Sequence, residues 1–89
     1  MENKHIKMSD SVEFKIIDDE TIILEPESSN FFRLNDTGTE VWKLADGKMS
    51  IGEIARKITE MFEISKEEAL KDVVSIVKEL EKNKLIKFC

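Results

Sequence analysis

The sequence predicts an α+β domain of the winged helix-turn-helix kind, with three N-terminal antiparallel β-strands followed by three α-helices. Three observations predict it. Before Asn35, short β-branched and aromatic runs alternate with polar residues at period two. After Asn35, apolar residues recur at spacings of three and four. With 89 residues, one proline and three glycines, the chain has room for a single domain, residues 1–89, around one core.

Residues 1–9 carry no clear period and are expected to be flexible. Val12-Glu13-Phe14-Lys15-Ile16 alternates as a strand, and Asp18-Asp19-Glu20 makes a polar turn into a second strand, Thr21-Ile22-Ile23-Leu24. Pro26-Glu27-Ser28-Ser29-Asn30 breaks the ladder before a third strand, Phe31-Phe32-Arg33-Leu34. Connections this short suit an antiparallel meander.

Asn35, Asp36 or Thr37 can cap the first helix, whose apolar positions are Val41, Trp42, Leu44 and Ala45. Asp46-Gly47 is its stop signal. Ser50-Ile51-Gly52-Glu53 has the spacing of a capping box, and opens a helix carrying Ile51, Ile54, Ala55, Ile58, Met61 and Phe62. Ser65-Lys66-Glu67-Glu68 repeats that spacing before the longest helix, about residues 66–83. Leu85-Ile86-Lys87-Phe88 closes the chain as an extended segment.

Composition narrows the function. Fourteen Lys and Arg against nineteen Asp and Glu give a net charge of −5, a poor match to phosphate backbones or anionic lipid. The single cysteine, Cys89, is the last residue, so no internal disulfide forms and no Cys/His set for zinc exists. The N-terminus lacks the apolar run of a signal peptide, and no apolar run approaches a membrane span. A cytoplasmic protein without metal or organic cofactor is expected. There is no Tyr, one His and no Gly-rich phosphate loop, so the chain reads as a binding module and not an enzyme.

A helix-turn-helix invites a DNA reading, and the charges weigh against it. The would-be recognition helix, 66–84, sets five lysines against five carboxylates, with Glu67 and Glu68 in the turn that would approach base edges. It carries no Arg or Gln for bidentate base contacts. A DNA-binding regulator is therefore the second reading.

The apolar stripe on that helix is more informative. With Leu70 at 0° and ~100° per residue, Val74, Val77, Val73, Leu80, Ala69 and Ile76 span an arc of about 160°. A helix packed on one core needs about 100°. The plain explanation is a central helix touching several neighbours. The sharper one is that Ala69, Val73, Ile76 and Leu80 line a groove open to a partner. Strand 31–34 can form the other wall, with Phe32 and Leu34 facing one way and Phe31 and Arg33 the other. A meander leaves two strand edges, and an unpaired edge accepts an added strand.

The ordered set Phe32-Arg33-Leu34-Asn35, Val41-Trp42-Lys43-Leu44-Ala45-Asp46-Gly47 and Ser50-Ile51-Gly52-Glu53-Ile54-Ala55 resembles the PqqD-like family. So does the closing run Val73 to Leu80 with Asn83-Lys84-Leu85-Ile86. The resemblance covers residues 10–88. It implies a RiPP recognition element, a peptide chaperone that binds the leader of a ribosomally made precursor peptide. The leader would add as an antiparallel strand and be presented to a modifying enzyme, a radical SAM enzyme or a lasso-peptide protease or cyclase. The charge balance gives no nucleic acid and no membrane as partners, and the free strand edge leaves monomer or dimer open.

Carried over by position, the peptide-binding residues are Phe31, Phe32, Arg33 and Leu34 on the strand, and Ala69, Asp72, Val73, Ile76 and Val77 on the helix. On this reading Val73 and Ile76 receive apolar anchors, so Glu at either would abolish binding while the fold survives. Arg33, Lys66 and Lys78 would pair with leader carboxylates, although solvated helix lysines are the plainer account. Trp42, Leu44, Ile54, Ile58 and Leu80 are assigned to the core.

Overall fold

The computed structural model describes residues 1–10, 12–25 and 30–89. Its elements are β1 (His5–Met8), β2 (Glu13–Ile17), β3 (Glu20–Leu24), β4 (Phe31–Leu34), α1 (Asp36–Lys43), β5 (Asp46–Ser50), α2 (Ile51–Phe62), α3 (Lys66–Lys82) and β6 (Ile86–Phe88). The expected three strands and three helices are all present. The break assigned to Pro26–Ser29 lies outside the described residues.

The wing is the antiparallel meander β2-β3-β4. Phe14, Ile23 and Phe32 are cross-strand partners, as are Ile16, Thr21 and Leu34. Period-two alternation turns both rows toward the helices and sets Lys15, Ile22 and Arg33 on the outer face. The hairpin turn uses Asp18 at φ 56°, a left-handed conformation that Asp tolerates better than most residues.

The flexible N-terminus expected from residues 1–9 is corrected by a second sheet. Its order is β5-β1-β6, so His5–Met8 is a central strand with a partner on each side. Ile6 is wholly buried. A lone four-residue run has too few repeats for a period, and both partners come from more than 35 residues away. Gly47, at φ +84°, lies in β5, where His5 Nδ1 donates to its carbonyl oxygen at 3.0 Å. The residue read as a helix stop thus opens the next strand.

Helix entries follow the local chemistry. The Asn35 side chain accepts from the Gly38 amide at 2.9 Å. Ser50 and Glu53 form a reciprocal capping box, at 3.2 Å and 3.0 Å. Ser65 caps α3 by accepting from the Glu68 amide at 3.1 Å. Glu63, at φ 52°, ends α2 in the left-handed conformation and starts the turn into α3.

The core gathers Trp42 and Val41 of α1, Ile54 and Ile58 of α2, and Val73, Val77 and Leu80 of α3. The wing adds Ile23 and Leu34, and the second sheet Ile6 and Ile86. Phe14 packs edge-on against Trp42, ring centroids 5.3 Å apart, and so ties the far strand of the wing to α1. Leu44, assigned to the core, is half-buried at its margin. Among the described residues no helix is long and apolar enough to cross a membrane.

Candidate peptide-binding cleft

β4 is the last strand of the wing, and no strand among the described residues pairs with its outer side. Alternate amides and carbonyls of an antiparallel strand point away from its partner, so part of its backbone faces outward. Beside that edge lies a cleft of ≈ 300 Å³. Phe32, Leu34 and Gly38 line one side, and Ser75, Ile76 and Glu79 of α3 line the other.

The floor is apolar and half-covered. Phe32 and Ile76 are partly buried and packed on the core, with exposed surface left over. Gly38 keeps it open: a Cβ there would sit 3.0 Å from Leu34 Cβ and 3.1 Å from its Cδ2. Arg33 stands at the rim, exposed, with its guanidinium 3.4 Å from a carboxylate oxygen of Glu20. That pair is open to water and holds the side chain only loosely.

The structure brings together at the cleft four of the nine residues expected to bind, Phe32, Arg33 and Leu34 with Ile76 across from them, and leaves the exposed Asp72 one turn away on α3. Phe31 is 69% exposed on the opposite face of the wing, where it joins Ile22 and Leu24 in a separate depression. It can still contribute backbone at the edge. Ala69, Val73 and Val77 are corrected: all three are wholly buried. They form the core seam of α3 with Leu80, and a peptide in the cleft would not reach their side chains. Val73→Glu would bury a charge in the core and unfold the chain instead of testing the cleft.

The correction has a simple origin. Periodicity shows the apolar arc of α3 but not which part of it the neighbours cover. The buried seam centres about 60° from Leu70, on Val73, which leaves Ile76 at the cleft. On the other flank Leu70 and Val74 stay half-exposed beside Glu67, Lys71 and Lys78. Four cleft residues were not anticipated as such, Asn35, Gly38, Ser75 and Glu79, the first having been read only as a helix cap. Gly38 could have been suspected as a glycine inside a helix, where close approach is a usual reason. Ser75 and Glu79 lie on the flank of Ile76 and could have been found from helix phase.

The family model described as Coenzyme PQQ synthesis protein D (PqqD) matches residues 20–86. No curated protein matches the chain in sequence. Among solved structures the chain is similar to TbiB1 in complex with the TbiA(beta) leader peptide, at 25% identity and TM-score 0.81, covering 91% of this chain and 94% of that one. It is similar to lasso peptide synthetase B1 complexed with the leader peptide, at 19% identity and TM-score 0.81, covering 93% and 98%. It is also similar to the PqqD truncation of Methylobacterium extorquens PqqCD, a functional and stand-alone RiPP recognition element solved by solution NMR. That match has 19% identity and TM-score 0.75, covering 92% and 87%. At 19% identity these last two support the fold alone.

Proposed function

This chain belongs to the PqqD family, and from that premise we propose that it captures the leader of a ribosomally synthesised precursor peptide and presents it to a modifying enzyme. It acts by binding and not by catalysis. The leader enters as an extended strand antiparallel to β4, sharing the outward amides and carbonyls of Phe31–Leu34. Its side chains on one face drop onto Phe32 and Ile76. TbiB1, similar at 25% identity, was solved with a leader peptide bound, which supports peptide capture.

The observation that carries the reading is the conjunction of an unpaired strand edge with a half-covered apolar floor beside it. Backbone pairing tolerates many sequences, and the floor selects for an apolar anchor. A single aliphatic anchor contributes about 1.5–3 kcal/mol when fully buried. The recipient is of a class that the family implies, a radical SAM enzyme or a lasso-peptide protease or cyclase.

The test is a binding titration with the leader encoded beside this gene. Ile76→Glu is expected to weaken binding about tenfold or more with the circular dichroism spectrum unchanged. Leu70→Glu, on the opposite flank of α3, is expected to leave it intact. A folded Ile76→Glu variant that binds as tightly as the parent would refute the cleft assignment.

A further inference from the structure

The α3 wall of the β4–α3 cleft is anionic, and from this we infer that the leader segment it takes presents a cation to that helix. An apolar residue sits on Phe32 and Ile76, and a lysine or arginine two residues away meets Asp72 or Glu79. The inference rests on the peptide-capture reading above and adds the peptide's chemistry and the two residues that select it.

The helix wall comes first. Glu79 lines the cleft. Asp72 lies one turn before Ile76 on the same flank, and Glu68 one turn before that. All three are exposed, and none takes part in an ion pair among the described residues. The lysines of the same helix project elsewhere. Lys71, Lys78 and Lys82 lie about 60–100° further round, and Lys71 and Lys78 border the depression over Leu70 and Val74. Lys66 faces Glu2 and Glu53 at another site.

The strand wall contributes one charged residue to the cleft, Arg33, and its guanidinium already faces Glu20. Lys15 is on the far strand of the wing, aligned across Ile22. Lys66 and Lys78, expected from sequence to receive leader carboxylates, are not at the cleft, and an acidic leader would meet like charge along α3 with Arg33 alone to pair with.

Carboxylates on a helix are common and by themselves indicate nothing. These border an open strand edge with an apolar floor, which already calls for a peptide, and they determine its sign. The spacing agrees. Asp72 and Glu79 stand about 6 Å and 4.5 Å along the helix from Ile76. Same-face residues of an extended peptide are about 6.7 Å apart. A lysine or arginine two positions from the anchor can lay its methylenes on the floor and carry its charge to the rim.

The test selects a displayed library of random short peptides against the full chain and against the Asp72→Lys/Glu79→Lys variant, both positions being exposed. The parent is expected to enrich Lys or Arg two residues from an aliphatic or aromatic residue, and the variant to enrich Asp or Glu there. A selected lysine peptide should bind about two- to fivefold less tightly to Asp72→Asn or Glu79→Gln, and its glutamine counterpart equally to all three. Peptides that shift the β4 amides but show the same charge composition from both selections would overturn the inference and leave peptide capture standing. Selected peptides that leave the β4 amides unmoved would overturn both.

Discussion

Thr21 Oγ1 of β3 donates to Thr39 Oγ1 of α1 at 2.8 Å, with both side chains wholly buried. Thr39 Oγ1 in turn lies 3.5 Å from the carbonyl oxygen of Leu34, at the end of β4. Two hydroxyls and one carbonyl thus lock the wing onto α1 beside the cleft. The chain of donors is directional, so its variants should differ. Thr39→Val strands the Thr21 hydroxyl in the core and is expected to cost about 1–3 kcal/mol. Thr21→Val leaves Thr39 its contact with Leu34 and should cost about 1 kcal/mol or less. The double variant should lose less than the two singles combined, as measured by urea unfolding.

Gly38 governs the width of the cleft. Gly38→Ala adds a methyl 3.0 Å from Leu34 Cβ, with Asn35 Oδ1 at 3.4 Å on another side. Overpacking costs about 1–3 kcal/mol, and alanine returns about 1 kcal/mol of helix propensity. A net loss of up to about 2 kcal/mol is expected, with Leu34 displaced and leader binding weakened. Thermal melting and a binding titration check the two parts separately.

The N-terminal strand is structural. Ile6 is wholly buried in the central strand of the second sheet, and the Leu85 carbonyl and Ala45 carbonyl accept from Ser9 and Met8 beside it. Ile6→Ala is expected to cost about 2–5 kcal/mol. Removing residues 1–9 should abolish cooperative unfolding, which denaturant titration would show.

The capping box makes α2 sensitive to acid. Hydrogen bonds from the Ser50 backbone and hydroxyl hold the Glu53 carboxyl below its usual value of 4.5. A carboxyl lowered in the folded state stabilises above its unfolded value and loses that contribution as pH falls through the folded one. The melting temperature should therefore fall on acidification below about pH 4.5, and Glu53→Gln should remove that component of the fall. Ser50→Ala, which removes the cap itself, should cost about 1 kcal/mol at neutral pH.

How much of this was legible in the sequence depended on whether the signal was local. The wing strands repeat at period two within a few residues, and Ser50 and Glu53 face each other across one turn, so both could be read directly. β1 pairs with β5 and β6 from the far end of the chain, and nothing within His5–Met8 announces such partners. The cleft was half legible. The unpaired edge of strand 31–34 and Ile76 followed from strand alternation and helix phase. The burial of Ala69, Val73 and Val77 depends on how α3 is rotated against α1 and α2, which its own period does not specify. Charge placement failed for the same reason, because the lysines of α3 lie on a different stripe from Asp72 and Glu79.

The most direct test of the central claim is an amide NMR titration with the leader encoded beside this gene, with duplex DNA as control. Peptide-induced shifts are expected to concentrate in residues 31–34 and 72–79, with none from DNA. Shifts confined to the Leu70–Val74 flank or to the outer face of the wing, or a response to DNA along α3 with silence toward the peptide, would contradict it.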